Sequence, residues 1–302
     1  MWPTGIRTSI SLFICCYSFL AGPPIKRTSS RSSVNGTFLL ADFDPARKTL
    51  PRHFRGHDIA GISAALDKLN VDGKRHEFET TTEWGARISA TQSLPILGKL
   101  SRNSILAFMA DRDVPNHVEI KYDADKECFD IAIVLEYERG SRGENTEGPG
   151  ADENANDKTL PITSDRSYRT YKAANAFGAV RSVSEQTGTN YQLILFNASR
   201  SFPVTSGPWK STIPFHISMR RDQAAQIKDQ LRILAVCSLD EPYREDGSQV
   251  IKPTIDDPVE VFIRYKYLTV QLNALWIYNY ETGVVYDTMI RDTSLPASRK
   301  AQ

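Results

Sequence analysis

A chain of 302 residues with 40% hydrophobic and 24% charged residues can form one large or two small domains with a real core. Its formal net charge of +1 supplies no field to gather nucleic acid or an anionic membrane surface, so neither is expected as a partner.

The N-terminus carries the strongest signal. Arg7 is followed by an almost wholly apolar run from Ile10 to Ala21, and Gly22-Pro23-Pro24 breaks it. A basic start, an apolar stretch of about 12 residues and a small-residue exit describe a secretory signal peptide. The run is shorter than the roughly 20 residues that a transmembrane helix needs. Residues 1–22 are therefore expected to be a signal peptide, and the mature chain to be exported, periplasmic or secreted, with no stable membrane span. Cys15 and Cys16 leave a lipid-anchored N-terminus as a second reading, although Phe13 and Ile14 are not the small residues that site prefers. An uncleaved anchor is the third.

Residues 23–52 are rich in Pro, Ser, Arg and Lys and read as a flexible arm that docks one short segment, with an apolar patch at Phe38-Leu39-Leu40. A globular domain is expected over 53–290, followed by a tail at 291–302. Ile59, Ile62, Leu66 and Leu69 recur at helical spacing behind Asp58, a suitable N-cap. Thr80 and Glu83 form a capping box that opens a second helix, with Trp84 and Ile88 on its buried side. Residues 105–109 read as a buried strand. Residues 117–122 and 128–137 read as a hairpin around Asp123-Ala-Asp-Lys126. Residues 140–158 contain no Val, Leu, Ile, Met or aromatic residue and are expected to be a disordered insertion.

Beyond the insertion, strands are expected at 179–183 and 191–196, joined by a turn at Thr187-Gly-Thr-Asn190. A third helix is expected from Met219 to Gln230, capped by Ser218, and leads into a strand at 233–239. In the last structured run, alternation puts Leu268, Val270, Leu272, Ala274, Trp276 and Tyr278 on one face. The turn at Glu281-Thr-Gly283 then leads to a short strand. The whole reads as an α+β fold: an antiparallel-rich sheet of hairpins with about three helices, preceded by the signal peptide.

Phe78-Glu-Thr-Thr-Thr-Glu-Trp-Gly-Ala-Arg87 resembles a phrase, F-E-T-x-x-E-[YW]-x-x-R, of bacterial exported proteins of unknown function. Tyr171-Lys-Ala-Ala-Asn-Ala-Phe-Gly178 and the stretch from Trp276 to Thr282-Gly283 are similar to that group as well, and the likeness covers about two-thirds of the chain. It implies bacterial export and no particular catalysis. In physical terms the phrase is a capped helix start with an aromatic anchor, where Glu83 and Arg87 stand at ion-pair spacing.

Few residues invite chemistry. His53 and His57 are four apart and could share a metal ion with Asp58, joined by His76, although Pro51 and Gly56 oppose a continuous helix through them and Arg52 and Arg55 repel a cation. Gly61-Ile-Ser63 is a loose cousin of a nucleophile elbow, but Ser63 falls inside a helix. Asp123, Asp125 and Glu127 lack the spacing of a calcium loop and suit a turn. His117 and His216 each sit in a strand pattern. Trp276, Tyr278 and Tyr280 could stack a sugar or a peptide, and sheet core is the reading that fits them better. After signal cleavage Cys128 and Cys237 remain: they form one disulfide or two separate thiols, and the unlike character of their faces favours thiols.

No catalytic residue and no cofactor follow from these motifs. The expected function is a non-enzymatic binding or interaction module of the bacterial envelope, with another envelope protein as partner. The alternative is an exported hydrolase whose site is assembled from distant residues, His117 or His216 with acidic neighbours.

Overall fold

Asp58 opens helix α1 (Ile59–Lys68): its carboxylate accepts from the amide of Ala60 at 3.1 Å, satisfying a donor the helix cannot. Ile59, Ile62 and Leu66 are buried as the spacing requires, while Leu69, just past the end, is 39% exposed. Helix α2 (Thr81–Gln92) starts with the reciprocal capping box. The Thr80 amide donates to Glu83 Oε2 at 2.9 Å, and the Glu83 amide donates to Thr80 Oγ1 at 3.2 Å. Glu83 is committed to the cap, and Arg87 reaches back to Glu79 at 2.7 Å.

The computed structural model describes residues 38–69, 75–92, 94–112, 114, 117–137, 158–174, 178–195, 201–206 and 210–292. The expected signal peptide, nearly all of the insertion and most of the tail lie outside the described residues. Ten strands form one sheet: β1 (Ile105–Ala110), β2 (Val118–Asp123), β3 (Cys128–Tyr137), β4 (Lys158–Ala174), β5 (Val180–Leu195), β6 (Thr205–Ser206), β7 (Lys210–Ser218), β8 (Leu231–Ile251), β9 (Val259–Asn279) and β10 (Val285–Ile290). The order is β1-β8-β9-β5-β4-β3-β7-β6, with β2 beside β3 and β10 beside β9. Every pair is antiparallel except β5–β9. With helix α3 (Arg221–Ile227) the described residues make an α+β fold with a large, mostly antiparallel sheet. No helix among them is long and apolar enough to cross a membrane.

The sheet curls around its main core. Phe108 (β1), Phe129 and Ile133 (β3), Leu193 (β5), Phe215 (β7), Leu268 (β9) and α1's Leu66 are all within it. The amide of Asp111, just past β1, donates to Ile162 of β4 at 2.7 Å, so one end of the strand order meets its middle. The hairpin β2–β3 pairs in the register that the Asp123 turn predicts, Asp123 opposite Cys128.

Three expectations are corrected. Leu268, Val270 and Leu272 face the main core, but Ala274, Trp276 and Tyr278 face the opposite way, into a second cluster. The cause is a bulge: Val236 pairs with Ala274 while Cys237 pairs with Leu272, so Asn273 is an extra residue that reverses the alternation. Thr187-Gly-Thr-Asn190 is not a turn but the middle of β5, paired with β4 on one side and β9 on the other. Gly188 is there for close approach, since a Cβ would overlap the carbonyl oxygen of Asp165. The third helix spans only Arg221–Ile227, entered from Arg220 and followed by a single 3-10 turn at Lys228–Gln230.

The second cluster explains the described part of the arm. Phe43, Leu50 and Phe54 lie against Val236, Trp276 and Tyr278, with Phe43 edge-on to Trp276 at 5.2 Å. The Tyr278 hydroxyl donates to the Phe54 carbonyl at 2.5 Å. The amides of Phe43, His57 and Met109 tie the same segment to the outer edge of β1. Residues 38–57 thus cover both an apolar sheet face and an open strand edge.

Candidate functional site

His57 is 2% exposed, and both of its ring nitrogens are occupied. Nδ1 accepts from the Ala107 amide at 2.8 Å, which leaves the proton on Nε2, 3.0 Å from the Ala41 carbonyl. Burial holds its pKa below the ordinary value. His57 is therefore a cross-brace between the docked segment and β1. His53 stands edge-on to Tyr280 at 5.0 Å, with its Nε2 3.6 Å from Glu281. His76 contributes its amide to Glu79. The ring of His57 is therefore committed to backbone groups and that of His53 lies against Tyr280 and Glu281, so the structure does not bring the two together around one point.

The two strand histidines do have acidic neighbours. His117 Nδ1 lies 3.8 Å from Glu136 Oε1 and makes no hydrogen bond. Burial, reinforced by Arg166, lowers its pKa to about 4. Since the unfolded chain titrates near 6.5, the unfolded state binds the extra proton between those values, and stability is full above pH 6.5 and falls as the pH drops towards 4. The loss is on the order of 1–3 kcal/mol. Thermal melts at pH 7 and pH 4.5 should therefore lie closer together in His117→Asn than in the native chain; equal separations would contradict the assignment.

His216 pairs with Asp130 at 2.7 Å. The β3–β7 register places these residues directly opposite each other, and Cys128, two residues along β3, shares their face. Cys128 and Cys237 are both free thiols: Cys128 is half-buried on this face, and Cys237 is sealed in the main core, where burial pushes its pKa up.

A cleft of about 570 Å³ opens between the docked segment and β10. Ile105, Val236, Ala274, Trp276 and Ile290 give it an apolar floor, and Arg47, Lys48 and Asp287 stand among its lining. Among the described residues no histidine or cysteine lines it.

The most extended surface is built by the far halves of β4, β5, β8 and β9. These strands run 17, 16, 21 and 21 residues, against roughly 5–6 for a common strand. Along β4 the burial stops after Ile162, and four strands continue side by side past the core. Tyr168 pairs with Gln186, Gln186 with Val261 and Val261 with Ile251, so Tyr168, Val261 and Ile251 share one face. Val259 stands two residues along β9 on the same face. Tyr168 is 57% exposed and Ile251 42%. The opposite face carries polar contacts, Arg169 with Glu185 and the Tyr171 hydroxyl with Glu260 at 2.7 Å, beside exposed Val250 and Phe262. Among the described residues no strand pairs with the outer edge of β4 from Thr163 onward, or with that of β8 from Arg244 onward.

No family model matches the chain, and no curated protein or solved structure matches it either.

Proposed function

We propose that this chain is an exported protein of the bacterial envelope that works as a non-enzymatic binding module, and that it holds a protein partner on the four-stranded extension. One observation carries the reading. Of the thirteen large hydrophobic side chains exposed among the described residues, Tyr168, Val180, Ile251 and Val259 lie on one face of these strands, Val250 and Phe262 on the other, and Ile255 on the β8–β9 connection. None of them belongs to a core cluster among the described residues, and exposed apolar side chains gathered on one part of a surface mark an interaction site. The partner this surface suits is another protein that presents an apolar face or a strand, because open edges of β4 and β8 offer main-chain donors and acceptors beside the apolar side chains. The leader pattern at residues 1–22 and the likeness in residues 78–87 support export.

The test is a double replacement, Tyr168→Ser with Ile251→Lys. Both side chains are exposed, so stability should change by less than about 1 kcal/mol. Cross-linked complexes recovered from the producing cell should fall at least tenfold. Complexes that survive the replacement at native yield would remove the extension from the account.

The hydrolase reading draws on one contact, His216 with Asp130 at 2.7 Å. That pair stands on an open sheet face, where water competes with substrate. Ester or peptide hydrolysis by the purified chain, lost in His216→Asn, would favour it.

A further inference from the structure

The geometry points to a transition-metal site on the outer face of β3 and β7, formed by Cys128, Asp130 and His216. The Cys128 thiol, a carboxylate oxygen of Asp130 and a ring nitrogen of His216 all lie within 4.8 Å of one another. Three ligands of a tetrahedral zinc ion stand roughly 3.3–3.8 Å apart, given bond lengths of about 2.0–2.3 Å. Side-chain rotation alone closes the difference, because the backbone is fixed: Cys128 and Asp130 are alternate residues of one strand, and His216 is Asp130's partner across the ladder.

The donor set selects the ion. A thiolate and an imidazole beside one carboxylate suit zinc and its neighbours in the transition series, and they do not suit calcium or magnesium. Three protein ligands on an exposed face leave a fourth position to water, the arrangement of an open zinc site. Two ammonium groups stand nearby, and each has its own carboxylate. Lys121, opposite Asp130 on β2, lies 3.2 Å from Glu119, and Lys126 lies 3.0 Å from Asp123. Binding takes the proton from the Cys128 thiol and releases it to solvent, while one ring nitrogen of His216 and an oxygen of Asp130 give the metal lone pairs and the other ring nitrogen carries the imidazole proton. The site is separate from the extension and does not depend on its role.

Cobalt(II) is the direct probe. The chelator-treated protein should bind one equivalent and develop a thiolate-to-cobalt charge-transfer band, which zinc then removes by displacement. Cys128→Ser should abolish the band, His216→Ala should weaken binding at least tenfold, and Cys237→Ala, at the only other described thiol, should leave both unchanged. Melts of the metal-free variants confirm folding, and zinc should raise the melting temperature of the native chain but not of Cys128→Ser. A protein that gives no thiolate band with cobalt, or a band that survives in folded Cys128→Ser, would overturn the site.

Discussion

Gly283→Ala should destabilise the protein by roughly 3–5 kcal/mol, as a steric and conformational effect at a single turn. Gly283 has φ +75°, a conformation that favours glycine, and a Cβ there would overlap the Leu50 carbonyl oxygen and lie 2.7 Å from its carbon. The neighbouring atoms cannot simply give way. The Leu50 amide donates to the Gly283 carbonyl at 2.8 Å, and the Leu50 side chain is buried in the second cluster. Moving this strand of backbone breaks the bond and lifts Leu50 from its seat. Gly178 is the control: its φ is +79°, but among the described residues nothing lies within 4 Å of the added carbon. Gly178→Ala should cost only about 1 kcal/mol. Urea unfolding of both variants checks the contrast, and equal losses would mean that the turn does not press on the docked segment.

The second large effect is expected at Trp276. Trp276→Ala removes an indole that is 3% exposed and that supports Phe43 edge-on. Truncating a buried aromatic to alanine costs about 3–5 kcal/mol. The location of the loss is more telling than its size. Trp276 holds residues 43–54 against the sheet, so the variant should release that segment before the main core opens. Trypsin should then cut at Arg47, Lys48, Arg52 or Arg55 under conditions where the native chain resists. A variant that loses stability without becoming cleavable there would show that the segment is held mainly by its main-chain bonds to β1.

Local signals in the sequence found local structure. The cap at Asp58, the box at Thr80 and Glu83, and the Asp123 turn each depend on residues within four positions of one another, and each stands where its chemistry places it. Non-local structure was not legible in this way. The bulge at Asn273 arises from pairing with β8, and nothing in the run from Leu268 to Tyr278 announces it. Thr187-Gly-Thr-Asn190 has turn-like composition, yet strands on both sides hold it extended. From Thr163 onward β4 alternates poorly because neither of its faces meets the core. Asp130 and His216 are 86 residues apart, and only the β3–β7 register joins them. Four-residue spacing suggested His53 and His57 as a pair, but the chain enters β1's edge at that point and gives His57 to the backbone.

The claim that the extension meets a partner is tested most directly by a photo-cross-linking side chain introduced at Ile251 in the producing cell, with a second introduced at Leu94 as the control. Both positions are about 42% exposed, so the two probes sample solvent equally and differ in the surface they occupy. A discrete heavier species formed from position 251 and absent from position 94 is the predicted result. Illumination that leaves position 251 as the monomer, or that yields the same species from both positions, would contradict it.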